Sequence, residues 1–277
     1  MIPIDFSYWR PETAEEAVAV HQQLAADAQH PVYYAGGTEI VTRARLGQLT
    51  PGAVIDVKAI SEARRLGRDG GRWHWGAALS LAELIHEGSW PLLARVAERV
   101  ADHTTRAHIT LGGNLAGAIP YREAALPFWL ADAEVLTVGP NGRRTARFHD
   151  RFDGTLTLEP GELVLALSVP EGVRQRPSHA QKATRLDYVD YPLVTIAALR
   201  SADGRVHVAL SGLKPEPFRS AALDAALAGS GSAVDRAGRA ARHLPATLVQ
   251  DLHGTADYRR FVAQTVLADT LAALGAH

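Results

Sequence analysis

The chain has 277 residues, 47% hydrophobic and 21% charged, with a formal net charge of -1. This is a soluble globular composition, long enough for two or three small domains, and too nearly neutral to attract nucleic acid or an acidic membrane by its overall field. There is no cysteine, which excludes disulfides, a thiolate nucleophile, a thiolate zinc site and cysteine-ligated iron–sulfur clusters on this chain; a redox centre here would be an organic cofactor.

No apolar run is long enough to cross a bilayer. The segment Met1 to Phe6 has neither a basic start nor a long apolar stretch, so a cytoplasmic location is expected. Glu12 to Ala28 reads as an amphipathic helix. Thr13 caps it, Glu16 is its capping-box partner, and Ala17, Val20 and Leu24 fall at helical spacing. Pro31 to Ala35 reads as a buried strand, left through the turn Gly36-Gly37-Thr38. A helix follows from Ile40 to Leu49, then a strand Val54–Val57. This opening is β-α-β-like, with a glycine turn at the carboxyl end of a strand.

Further on, Trp73 to Ala77 reads as strand, Leu81–Ile85 as a helix capped by Ser80, and Pro91–Val100 as a helix with Pro in its first turn. Thr110-Leu111-Gly112-Gly113-Asn114 reads as a second glycine turn. Glu134–Val138 and Arg143–Ala146 flank Pro140-Asn141-Gly142, a hairpin signal, and Glu162–Val169 is a further strand. Glu171 to Ser178 reads as a linker. Leu193–Leu199 and Val206–Leu210 form an antiparallel pair joined at Asp203-Gly204. From Ser220 the chain is Ala-rich and helical, with breaks near Gly229–Ser232 and at Pro245.

The two glycine pairs carry the chemistry. In Ala35-Gly36-Gly37-Thr38-Glu39 a Gly pair leaves a buried strand, so backbone N–H groups can approach a phosphate with no Cβ in the way, and the following helix start favours an anion. In Thr110–Asn114 the flanking Thr110 and Asn114 add side-chain hydrogen bonds to the amides of Gly112 and Gly113. Each is also readable as a plain tight turn, a reading that is the stronger one for the first pair alone and weakens because the two share one composition, Gly-Gly with a flanking Thr. Neither follows the G-x-G-x-x-G spacing of the Rossmann fingerprint.

These segments resemble the medium, FAD-binding subunit of molybdenum hydroxylases, the xanthine dehydrogenase and carbon-monoxide dehydrogenase family. Tyr34–Glu39 resembles its A-G-G-T-D-L motif, and Arg106–Leu115 its R-N-x-A-T-I-G-G-N-L motif. Pro120–Glu123, Ala131–Val135, Leu158–Leu163, the segment from Lys182 to Tyr188, and Asp257–Arg260 resemble later motifs, in the family's order over nearly the whole chain. The resemblance implies an α+β chain: a two-subdomain FAD-binding fold of the PCMH type over 1–172 (subdomains about 1–58 and 59–172), then a smaller α+β domain over 178–277 with a short antiparallel sheet and helices. It implies non-covalent FAD, with Ala35, Gly36, Gly37, Thr38, Glu39 and Ile40 on one side of the pyrophosphate and Thr110, Leu111, Gly112, Gly113 and Asn114 on the other. Glu123 would reach the adenosine half or the ribityl chain; Leu163, Lys182 and Asp187 would lie near the isoalloxazine.

The chain would relay electrons from iron–sulfur clusters on a small partner subunit to NAD, a quinone or oxygen, substrate being oxidised at a molybdopterin cofactor on a large partner subunit. The alternative is a stand-alone flavin-binding protein of the same fold, either a simple flavin oxidoreductase or a non-catalytic module. The departures are Ala107 for Asn, Glu123 for Asp, Ala116–Ile119 for a C-x-A-x-P-like stretch, and no aromatic before Lys182. His103 and His108 have poor spacing for a shared metal. Trp73-His74-Trp75 reads as alternating strand packing. Arg64, Arg65 and Arg68 read as a wet surface run, with phosphate binding as the alternative; Arg143 and Arg144 read as a solvated hairpin end, and Arg259-Arg260 as either a surface helix face or a subunit contact. No G-x-S-x-G or H-E-x-x-H is present, so a hydrolase has no support.

Overall fold

The computed structural model describes residues 3–186 and 189–275. Its first unit contains β1 (Ser7–Trp9), α1 (Ala14–Ala26), β2 (Pro31–Tyr34), α2 (Thr38–Arg45) and β3 (Ala53–Asp56). The sheet order is β1-β3-β2 with all strands parallel, so the β-α-β opening gains a short edge strand that carries no periodic signal in the sequence. Thr13 caps α1 by accepting from the Glu16 N–H at 3.2 Å, but the Glu16 carboxylate reaches back to the Glu12 N–H, one residue before the capping-box position. Ala14, Ala17, Val18 and Leu24 put one face of α1 on Ile55 and Val138.

The second unit begins with β4 (Leu66–Asp69) and β5 (Arg72–Gly76). The helices α3 (Leu81–Glu87), α4 (Pro91–Glu98), α5 (His103–Arg106), α6 (Leu111–Ala116) and α7 (Ala125–Leu130) follow. Then come β6 (Glu134–Gly139), β7 (Gly142–Arg147), α8 (Phe148–Arg151) and β8 (Leu163–Pro170). These strands form an antiparallel sheet in the order β4-β5-β8-β6-β7. Seven of the eight residues of β8 are buried, the continuous apolar pattern of a strand covered on both faces. The expected hairpin is present, pairing Gly139 with Gly142. Ser80 and Glu83 form a reciprocal capping box on α3, and Gly88 ends that helix in the left-handed region. Trp75 is fully buried against Trp90 and Phe128, while Trp73 lies beneath the Arg174 guanidinium.

The expected linker is ordered. Residues Glu171–Gln175 make a 3-10 turn with Val173 buried, and Ser178 already belongs to a strand. The last unit is β9 (Ser178–Thr184), β10 (Pro192–Arg200), β11 (Val206–Ser211), α9 (Ala221–Leu227), α10 (Ala233–Ala241) and α11 (Ala256–Ala273), with sheet order β11-β10-β9. Alternation divides the faces of this sheet. Ala197, Leu199 and Ala209 join the core of the second unit, while Val194, Ile196, Ala198, Val208 and Leu210 pack under the helices. Arg259 is neither a surface residue nor an exposed contact. It is 0% exposed, donates to the carbonyls of Pro192, Leu193 and Gly212, and pairs with Asp251 at 2.7 Å. Arg260 donates to the carbonyls of Ala241 and Pro245. No helix among the described residues is long and apolar enough to cross a membrane.

Candidate functional site

Gly37 takes the left-handed conformation, φ +71°, and stands as the N-cap of α2 without any side-chain cap bond. The first turn of a helix has N–H groups with no partner inside the helix. Among the described residues, the N–H groups of Gly36, Gly37, Thr38, Glu39 and Ile40 donate to no protein acceptor; the first bond of the helix runs from Val41 N–H to the Gly37 carbonyl. Open donors at the positive end of a helix favour an anion.

The second glycine segment is different. It is a helix, not a turn with open amides. Thr110 is the N-cap of α6, accepting from the Gly113 N–H at 3.2 Å. Leu111 N–H donates to the Leu79 carbonyl and Gly112 N–H to that of Ala77, at 2.8 and 2.7 Å. A Cβ on Gly112 would stand 2.8 Å from the Ala77 Cβ, so this glycine allows a close approach between two protein segments. Asn114 is 1% exposed, and its Oδ1 accepts from the Ala124 N–H at 3.1 Å, tying α6 to the start of α7. The signal was present in the sequence, since a Thr three residues before Gly113 is a helix N-cap.

The two glycine segments touch. A Cβ on Gly36 would lie 1.6 Å from the His108 carbonyl oxygen, so only glycine permits this contact. Glu39 adds a strap between them: its Oε1 accepts from the Ala118 N–H at 2.9 Å and from Arg43 at 3.2 Å. Between the segments is a cleft of about 220 Å3, lined by Tyr34, Ala35, Gly36, Lys58, Arg64, His108 and Thr110 among others. Open amides, glycines and a nearby ammonium form a donor set that fits a dinucleotide's diphosphate.

Lys58 was not singled out in the sequence, because a lysine after a strand reads as ordinary surface. Here its ammonium donates to Asp56 Oδ2 at 2.8 Å and to the Ala35 carbonyl at 3.0 Å, and lies 4.6 Å from the Tyr34 ring centre. The Tyr8 hydroxyl donates to the same Asp56 oxygen at 2.6 Å. Burial pushes the Asp56 carboxyl up, but the bonds from Lys58 and Tyr8 outweigh it and hold the carboxyl below its usual range. A depressed carboxylate contributes stability that is present above its unfolded pKa, about 3.9, and lost as pH falls through the folded value. Urea midpoints measured from pH 6 to pH 3 should therefore fall more steeply for the wild type than for Asp56→Asn. Equal slopes would show that this network contributes nothing to the acid response.

The remaining candidates lie elsewhere. Lys182 and Glu123 meet each other at 3.2 Å, with side chains 3% and 8% exposed, and the lysine also donates to the Arg99 carbonyl at 2.9 Å. Leu163 is buried in the core with Ile55 and Val138. Asp187 lies outside the described residues. Among the described residues, no three His, Asp or Glu side chains are grouped to hold a metal.

Comparison with known proteins gives a consistent picture. A family model described as the FAD binding domain in molybdopterin dehydrogenase matches residues 4–172. The carbon monoxide dehydrogenase medium chain of Hydrogenophaga pseudoflava is 30% identical, over 95% of this chain and 94% of that one. The aldehyde oxidoreductase FAD-binding subunit of Escherichia coli K12 is 26% identical, over 96% and 97%. Among solved structures, carbon monoxide dehydrogenase from Hydrogenophaga pseudoflava superposes with a TM-score of 0.87 at 29% identity, covering 100% of this chain and 99% of that one.

Proposed function

Because the chain belongs to the family of FAD-binding domains of molybdopterin dehydrogenases, we propose that it is the medium, FAD-carrying subunit of a molybdenum hydroxylase, passing electrons from iron–sulfur clusters on a small partner to an external acceptor such as NAD, a quinone or oxygen. The observation that carries the cofactor part is the row of open N–H groups from Gly36 to Ile40 beside the Lys58 ammonium. In this reading Ala35 to Ile40 hold the diphosphate. The segment Thr110–Asn114 supplies the opposite wall through its packing. Glu123 and Lys182, joined as a pair, brace the first domain, 1–172, against the second, 178–277, with Leu163 and Asp187 toward the flavin end.

Bound flavin supplies the conversion between one-electron input and two-electron output. The chain's residues bind and orient it and limit water around it; no side chain has to move a proton for the relay itself. In this reading the cofactor is held non-covalently, since the chain has no cysteine and neither glycine turn contains a histidine. The likeness to medium chains over 95% of this chain, well beyond the FAD-binding domain, supports a place in a complex. The partners are then a large molybdopterin-binding subunit and a small iron–sulfur subunit.

The test is purification from the native host. The chain is expected to elute with a larger and a smaller partner, in a fraction whose spectrum shows both flavin and iron–sulfur absorption. A monomer that binds FAD but elutes alone would refute the relay and leave the cofactor assignment standing.

A further inference from the structure

The cleft holds two basic side chains of different standing. Arg64 is occupied: both Glu83 carboxylate oxygens and the Ala78 carbonyl accept from its guanidinium. Lys58 is not fully occupied. An ammonium has three donors; one goes to Asp56 and one to the Ala35 carbonyl, leaving one without an oxygen acceptor among the described residues. The side chain is 41% exposed and lines the same cleft as Ala35 and Gly36.

Its position is fixed from several sides. Asp56 is itself held by the Tyr8 hydroxyl and accepts from the Lys58 backbone N–H at 3.0 Å. The Tyr34 ring lies against the ammonium, and that ring also borders Gly37, where an added Cβ would come within 2.1 Å of it. The cation is thus attached to the carbonyl of the residue that opens the glycine turn.

We propose that Lys58 is the cationic contact to the diphosphate of the bound dinucleotide, supplying charge beside the open amides of residues 36–40. This rests on the FAD reading above. The amides give direction; the ammonium gives a point charge that the sequence motif lacks. The chain has three lysines, at 58, 182 and 214, so the proposal can be tested cleanly.

The first test uses the wild-type protein stripped of flavin. An amine-reactive acetylating ester is applied with and without saturating FAD, and each lysine is read by peptide mass spectrometry. Lys58 is expected to be protected several-fold by FAD. Lys214 is expected to react equally in both, and Lys182, 3% exposed, to stay slow throughout. The second test is FAD titration of variants by flavin fluorescence. Lys58→Met should raise Kd about 10- to 100-fold, the loss of one charge-assisted contact, and flatten its dependence on salt. Lys58→Arg should restore most of the affinity, which a packing role alone would not produce. Unprotected Lys58 at FAD saturation overturns the proposal even if Lys58→Met fails to fold. So does a folded Lys58→Met variant binding within twofold of wild type. A wild-type protein that takes up no FAD removes the proposal together with the reading beneath it.

Discussion

Replacement of Gly37 by valine is expected to abolish FAD uptake while the secondary structure persists. Gly37 sits at φ +71°, a conformation that costs an L-residue about 1–2 kcal/mol and a β-branched residue more. The added Cβ would come within 2.1 Å of the Tyr34 ring, so the ring must move. That ring lies against the Lys58 ammonium. Both the open amides and the cation are therefore displaced together. Each lost charge-assisted bond costs roughly 1.5–3 kcal/mol, so losing two weakens binding by about 100-fold or more.

Gly113→Val is the contrasting variant. Its Cβ would meet only Thr110 Oγ1, at 3.0 Å, and its N–H is already held by that oxygen. FAD affinity should change only a few-fold. Flavin per chain and far-ultraviolet circular dichroism on the same preparations decide the matter. A folded Gly37→Val protein with full flavin would place the diphosphate elsewhere; if that variant does not fold, Gly37→Ala carries the same test with less strain.

Removal of Glu123 should act first on stability. Its carboxylate is the counter-charge to an ammonium with only 3% of its side chain exposed. Deleting one member of a buried pair leaves an uncompensated charge, at a cost of about 3–5 kcal/mol. For a chain of this size that corresponds to a fall of roughly 10 °C in Tm. The double variant Glu123→Leu, Lys182→Met should recover much of the loss, since a matched apolar pair of similar volume is often neutral or better. Calorimetry of the single and double variants provides the check. A Tm within 2 °C of wild type for Glu123→Ala would mean that the pair is not strongly coupled. The family resemblance implies in addition that Glu123 reaches the adenosine or ribityl portion of the cofactor and that Lys182 lies near the ring.

Elements with caps and regular apolar spacing could be read from the sequence. The helices starting after Thr13 and Ser80, the hairpin at residues 139–142 and the β10–β11 pair all carried such signals. Three strands did not. β1 has three residues, half-buried or exposed, and β4 is mostly exposed. β9 mixes small and polar residues that are all half-buried, so it shows no alternation. In α6 two consecutive glycines obscured a helix that Thr110 announces. The first glycine turn was legible because a Gly pair after a strand marks a left-handed turn with open amides. The Glu123–Lys182 pair was not, since its members stand 59 residues apart, one just before α7 and one on β9, and meet only where the last sheet packs on the helices of the second unit. Lys58 carries no such signal either: Asp56 is two residues away, but its other acceptor is the backbone carbonyl of Ala35, 23 residues away, which no residue type advertises.

The contact between Gly36 and the His108 carbonyl has a consequence for how this cleft tolerates change. A carbonyl oxygen belongs to the main chain and is supplied by any residue, whereas the surface it meets can be supplied only by glycine. The constraint is therefore one-sided. The contact uses no side-chain atom of Ala107 or His108, so alanine at 107, where the resembled motif has asparagine, does not enter it. Position 36 has no such freedom. This contact therefore fixes residue identity at 36 and leaves it unspecified at 107.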